Sequence, residues 1–397
     1  MAQQDFTGAR IKLWRSRRGM SQAVLAGLAG LSQPFLSQVE AGTKTVDRRS
    51  TLVALAEALR VSVADLCRPG EPVDPAHDRA VEAVPAIRVA IAELMAGERR
   101  PTTRTPEQVR ADLARAQQLR ADADYAALMP MCADLLYDLA TIGPRELTEG
   151  AYLVGSPLRG LGFRDLAWHA ANLAVQTARE SDDPAWIGAA HHAYVMALPP
   201  ETGATTNIAT RAAIELQPHL ASPDARAVYG MLHLGTALAA ATARREADAY
   251  AHLDEAAREA ESLGEPADGA GFNAMNFGPT NVALWRMTLT NELAEPGRTA
   301  ELARDVAPGR LRSVNRTAAY WVDLGRALVA HGRGRRDREA LTCFLNAERA
   351  APQFTRASAV VKDQVLAMTR RARLRSESDD IRSLATAVGL YAHNREK

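Results

Sequence analysis

Residues 21–44 read SQAVLAGLAGLSQPFLSQVEAGTK, and two helices are punctuated within them. Ser21 offers a side-chain oxygen to the amides that open a helix over Gln22–Ala29, and Gly30 stops it. Ser32 repeats the device for the next helix. Pro34 falls in that helix's first turn, where a missing N–H costs nothing, and Gly42 ends it. Working outward, Ile11, Leu13 and Trp14 sit on a preceding helix that ends at Gly19. Ser50 starts a fourth helix through Leu59, and Ser62 a fifth ending near Leu66.

The register of these features resembles the lambda-repressor-like (Cro/C1, or XRE) helix-turn-helix family over Ala9–Leu66. The carrying text is RIKLWRSRRGMSQAVLAGLAGLSQPFLSQVEAGTK followed by TLVALAEALRVSVADL. Ser21-Gln22, Leu25-Ala26, Ser32, Ser37-x2-Glu40-x-Gly42 and Leu55-Ala56-x2-Leu59-x-Val61 all agree. The resemblance implies a third helix that enters the major groove of double-stranded DNA. Gln33, Pro34, Ser37 and Gln38 then face base edges, while Leu36 and Val39 point into the core. A glutamine amide gives and accepts one hydrogen bond each at adenine N6/N7, whereas Pro34 offers only shape. Phe35 is read two ways, against a thymine methyl or folded back onto the domain.

Phosphate contacts are expected from Gln22, at a helix N-terminus, and from Thr43, Lys44 and Thr45 after the third helix. In the family the equivalent of Gln22 also braces the first recognition-helix residue, here Gln33. Arg48 and Arg49 are read either as further backbone contacts or as a solvated turn. The family's pairing of a helix-1 arginine with the glutamate ending helix 3 implies an Arg15–Glu40 ion pair.

Charge agrees with an anionic partner for this head. Residues 1–70 hold ten Lys/Arg against five Asp/Glu, although the whole chain of 397 residues carries a net charge of only +1. Hydrophobic residues make up 47% and aromatics 5%, and alanine is the commonest type, a composition that suits close-packed helices better than sheets. Cys67, Cys132 and Cys343 lie far apart, which excludes a disulfide framework and a CxxC metal site. No run of eighteen apolar residues and no secretory leader are seen, so a cytoplasmic, nucleoid-associated bacterial protein without membrane contact is expected. The 44 arginines against four lysines resemble the usage of a high-GC bacterial genome.

Beyond the head, Pro69, Pro72, Pro75 and Pro85 mark a linker, and GERRPTTRTP over 97–106 marks a second break. From about 106 the 3.6-residue period is nearly continuous. Trp321-x2-Leu324-Gly325-x2-Leu328 and Ala340-x3-Phe344-x2-Ala347-x4-Pro352 fit the two helices of a tetratricopeptide repeat, with Leu328 where the repeat has Tyr. Weaker copies start at Val154-Gly155, Trp186 and Leu234-Gly235; the competing reading is generic alanine-rich helix packing. The expected fold is all-α. A five-helix helix-turn-helix domain over 6–68, then a linker and a connecting helix with Ile87, Val89, Ile91 and Leu94 over 69–105, lead to a tetratricopeptide-like α-solenoid over 106–392.

Catalysis has no motif to rest on: GxxxxGK[ST], HExxH and GxSxG are all absent. His191 and His192 are adjacent, hence about 100° apart on a helix, poor geometry for one metal. No cofactor, metal or enzymatic activity is expected. A helix-turn-helix joined to such a solenoid resembles the peptide-sensing RRNPP regulators and many actinobacterial regulators. That resemblance implies a homodimeric transcriptional regulator on a palindromic operator. It leaves the effector open: a peptide, a small molecule or none. The other reading is a protein-interaction scaffold localised to DNA by its head. Repeat register places Tyr152, Arg159, His191, Tyr194, Tyr229, Asn281, Trp285 and Arg326 on the inner, effector-facing surface. The linker is expected to decouple head from solenoid.

Overall fold

The structure, a computed structural model, describes residues 6–67, 75–200, 202–332, 334–373 and 379–390. Pro69, Pro72 and the expected domain limits at 68 and 392 lie outside these residues. No strand occurs among the described residues.

The head comprises α1 (Thr7–Arg17), α2 (Gln22–Leu28), α3 (Gln33–Glu40), α4 (Arg49–Leu59) and α5 (Val63–Leu66). Ser21 Oγ accepts from the Val24 amide at 3.2 Å and Ser32 Oγ from the Phe35 amide at 3.3 Å, so both helices start where a short polar side chain satisfies an open N–H. Ser62 and Asp65 form a reciprocal capping box on α5. α4 starts one residue before Ser50. The Glu292 carboxylate accepts the Arg49 amide at 2.7 Å, so a residue distant in sequence does the work expected of the serine. Ile11, Leu25, Leu36, Val39, Leu55, Leu59 and Leu66 close the head's core.

The remaining helices are α6 (Pro75–Glu82), α7 (Val84–Met95), α8 (Pro106–Ala121), α9 (Tyr125–Ile142), α10 (Pro144–Gly160) and α11 (Arg164–Ser181). They continue with α12 (Pro184–Ala197), α13 (Gly203–Leu216), α14 (Pro223–Thr242), α15 (Glu246–Leu263), α16 (Pro279–Glu292) and α17 (Pro296–Leu302). The last are α18 (Val314–Gly332), α19 (Asp337–Ala350), α20 (Pro352–Ala357), α21 (Ala359–Arg373) and α22 (Asp379–Ala387). Prolines open many of them, a position where φ is already helical and no donor is lost.

Two compact units result. The first joins the head to residues 287–305 and 318–397; the second holds 75–286 and 306–317. In the second unit, consecutive helices pack side by side, α10 on α11 and α14 on α15. The Pro-containing stretch expected to be a linker is already helical from Pro75, the expected connecting helix follows as α7, and α6 and α7 lie on α9 through buried Ala80, Val84, Ile87 and Ile91. Small residues mark the closest approaches. A Cβ on Gly230 would stand 2.0 Å from the Phe277 ring. In the first unit, a Cβ on Gly325 of α18 would stand 2.8 Å from the Phe344 ring of α19. The repeat residues Leu328, Ala340 and Phe344 are buried there, in one core with Val361, Val365 and Met368.

Candidate functional site

The exposed face of α3 is built by a chain of polar contacts that starts in α1. Arg15 grips the Glu40 carboxylate through two guanidinium nitrogens, at 2.6 and 2.9 Å, and also donates to the Met20 carbonyl at 2.7 Å. Glu40 is buried, so its charge is held by this fork and by the Gln22 amide, which donates at 2.8 Å. The hydrogen bond to Glu40 holds the Arg15 guanidinium above its ordinary range. Gln22 in turn accepts from the Gln33 amide at 2.8 Å. Glu40, Gln22 and Gln33 thus form one relay from the core to the first residue of α3. Leu36 and Val39 are buried, Gln33, Pro34 and Gln38 are exposed, and Ser37 is half-buried. Rotation of α3 about its axis is therefore fixed from both its buried and its polar side.

The turn after α3 needs Gly42, whose φ of +68° is the left-handed region that ends a helix. Thr43 and Lys44 are exposed. The Lys44 ammonium rests 4.8 Å from the centre of the Phe35 ring, and Phe35 is folded against the head's core. Thr45 is turned the other way. It is buried, its hydroxyl is bonded to Asp47, and it accepts from the Gln364 amide of α21 at 3.1 Å.

Thr45 belongs to a seam between the head and the C-terminal helices inside the first unit. Gln364 also donates to the Asp47 carboxylate at 2.7 Å. The Thr7 amide donates to Asp363 at 3.3 Å, and the Arg370 guanidinium lies 4.7 Å from the centre of the Phe6 ring. Arg326 donates to the Asp47 carbonyl, to Glu292 at 2.9 Å and to Asp323 at 3.0 Å. Burial works against the Arg326 charge, but Glu292 and Asp323 hold it firmly protonated. Arg326, placed by repeat register on an effector-facing surface, is buried in this seam instead, because two carboxylates on α16 and α18 converge on it. Within this unit the head is therefore bonded to α16, α18 and α21.

The other expected effector residues lie in the second unit and do not form one group. Tyr152 and Arg159 share a neighbourhood with His192, the residue beside the one expected. Tyr152 Oη is 3.3 Å from His192 Nδ1, whereas His191 bonds the Ile187 carbonyl of its own helix at 2.9 Å. Tyr194 leans on Trp168 with ring centres 5.7 Å apart. Tyr229 is buried, bonded to Glu255 at 3.1 Å and packed on His233. Asn281 is fully buried and donates to the Met275 carbonyl at 3.2 Å. Trp285, also buried, has the Arg316 guanidinium 4.9 Å from its ring centre. Arg120, Tyr125 and Asn315 join the Tyr152 neighbourhood without having stood out in the sequence. They are single polar residues in otherwise ordinary helical text.

Among the described residues no group of three or more His, Cys, Asp or Glu side chains is placed to hold a metal ion. No helix among them is long and apolar enough to cross a membrane.

The fold and the head's polar relay define an all-helical protein that carries a helix-turn-helix domain, and residues 8–67 match the family model for a helix-turn-helix domain. The chain is similar to the crystal structure of ComR from S. thermophilus in complex with DNA and its signalling peptide ComS. Identity is 15% over 93% of this chain and 99% of that one, with a TM-score of 0.24. It is also similar to the apo form of ComR from S. thermophilus, at 13% identity over 94% and 100% of the two chains, with a TM-score of 0.26. No curated protein matches it.

Proposed function

We propose that the chain is a sequence-specific DNA-binding transcriptional regulator whose helical repeats respond to an effector. The observation that carries this reading is the relay Glu40–Gln22–Gln33 beneath an exposed α3, inside a segment that matches a helix-turn-helix domain. A recognition helix discriminates bases only if its side chains are held in register, and a buried ion pair feeding a braced glutamine provides that restraint. Gln33, Pro34, Ser37 and Gln38 face the base edges; Gln22, Thr43 and Lys44 meet phosphates, while Thr45 sets the turn that carries them.

One head of this size offers few base contacts, so useful specificity calls for two, in a homodimer on a palindromic operator with half-sites about 34 Å apart. The effector is a peptide or a small molecule taken up by the second unit, with Tyr152, Arg159 and Trp285 among its contacts. The chain performs no catalysis in this reading. Footprinting of bound genomic sites tests it: a symmetric protected motif is expected, and uniform, sequence-indifferent protection would refute specific recognition.

A further inference from the structure

The second unit encloses positive charge that its own carboxylates do not answer. Arg120, at the end of α8, donates to the Asn273 carbonyl at 2.9 Å and stacks 5.8 Å from the centre of the Tyr152 ring, but its buried Nε has no acceptor. Arg159, at the end of α10, reaches only the Met196 carbonyl, at 3.4 Å. Neither makes an ion pair with a carboxylate among the described residues, whereas Arg15, Arg226, Arg326 and Arg371 each do. Glu149 acts on Arg120 only through space; its carboxylate is bonded to the Gln117 amide. Burial holds both guanidiniums below their ordinary range, yet an arginine does not give up its proton at any ordinary pH. Two half-buried guanidiniums therefore stand with no carboxylate bonded to either, an unfavourable arrangement for a poorly solvated charge.

The neighbouring polar atoms are of the same kind. His192 is 5% exposed, and burial pushes it down to about 3, so its ring is neutral. Its Nδ1 shares a hydrogen bond with the Tyr152 phenol, and its buried Nε2 has no partner. The buried Trp285 indole N–H has none either, and Arg316, over that ring, is within electrostatic reach of Tyr152 and His192. The Arg120 and Arg159 guanidiniums, the Trp285 N–H and His192 Nε2 gather beside aromatic faces, supplied by α8, α10, α12 and α16. Such a set asks for an acceptor-rich anion on a partly apolar body.

We propose that Arg120 and Arg159 are the carboxylate-binding residues of a ligand site in the second unit, and that its ligand is an organic acid with an apolar or aromatic body. The Trp285 indole adds a donor, His192 Nε2 a further unpartnered polar atom, and the ring of Tyr152 contact area. The carboxylate belongs either to the free C-terminus of a short peptide or to a small non-peptide acid; both present the same group. The proposal rests on the reading of this unit as the effector-taking part and names the chemistry of what it takes.

The test uses the full chain without DNA, with intrinsic tryptophan fluorescence and calorimetry as readouts. The probes are phenylacetate against phenylacetamide, and a pool of heptapeptides with free C-termini against the same pool amidated. At least one acid is expected to bind, and its amide to bind roughly tenfold or more weakly. Whichever pair responds identifies the source of the carboxylate. Arg120→Gln and Arg159→Gln should each weaken the acid by a similar factor. Their ligand-free thermal midpoints should equal or exceed that of the parent chain, because a cation without a counter-charge has been removed. Failure of every acid to bind, equal binding of acid and amide, or a lowered ligand-free midpoint in both variants would overturn the proposal. Acid binding that leaves operator affinity unchanged would uphold this site and remove the effector reading. An operator response to an uncharged ligand alone, with no acid bound, would do the reverse.

Discussion

The side-chain amide of Gln364 donates to the carboxylate of Asp47 at 2.7 Å, across 317 residues of sequence. Asp47 lies seven residues beyond the end of α3, so the turn that follows the exposed helix is anchored on α21. Arg326 secures the carbonyl of the same aspartate and bonds both Glu292 and Asp323. The head's last polar contacts are therefore part of the C-terminal core, and their stability is one property.

Arg326→Met should destabilise the first unit by about 3–5 kcal/mol, because Glu292 and Asp323 would be left buried without a cation. Urea unfolding followed by circular dichroism measures it. Gln364→Ala should cost less and act locally, speeding amide exchange over Thr45–Asp47 without altering exchange in α14. Unchanged exchange in that turn would show that the seam does not hold it.

Asp363 gives the seam a pH dependence of definite sign. Burial first, and Asp47 more weakly, push it up to about 6, against the hydrogen bonds from Thr7 and the charge of Lys362. Its pKa when folded lies above its unfolded value, so the folded chain holds a proton that the unfolded chain has lost. Stability should fall as pH rises from about 4 to about 6 and stay lowered above that window. Asp363→Asn should remove this share of the decline and raise the thermal midpoint at neutral pH relative to the parent. A variant midpoint that tracks the parent at every pH would contradict the sign.

Close helix packing at the last repeat predicts intolerance of bulk at Gly325. A Cβ there would meet Phe344 at 2.8 Å, and Gly325→Val should cost about 1–3 kcal/mol in urea unfolding. Gly27, inside α2 with open space around its would-be Cβ, is the control. Gly27→Ala should be neutral or stabilise by about 0.5–1 kcal/mol.

What the sequence made legible follows the range of each interaction. Caps act over three residues, so Ser21, Ser32 and Ser62 could be read directly, as could the spacing that sets Gly325 against Phe344. The seam was not legible: no local pattern links Asp47 to Gln364, or makes Glu292 the acceptor for Arg49 in place of a cap from Ser50. In α12 the sequence does not say which of two adjacent histidines faces Tyr152. His191 and His192 point about 100° apart, and only packing decides which of them meets Tyr152. Arg120 and Arg159 could not be paired from the sequence, because their common neighbourhood is made by helices far apart along the chain.

The central claim is that α3 reads DNA. Its most direct test is selection of bound duplexes from a random pool by the full chain, followed by fluorescence anisotropy on the enriched sequence. A two-fold symmetric motif with half-sites about one helical turn apart is expected. Gln33→Ala and Gln38→Ala should each weaken the selected site by about 1–3 kcal/mol and relax base preference at one position. Lys44→Ala should weaken all sequences alike and lower the salt slope by about one. Enrichment of no motif, or Gln33→Ala and Gln38→Ala variants that bind the selected site as the parent does, would contradict it.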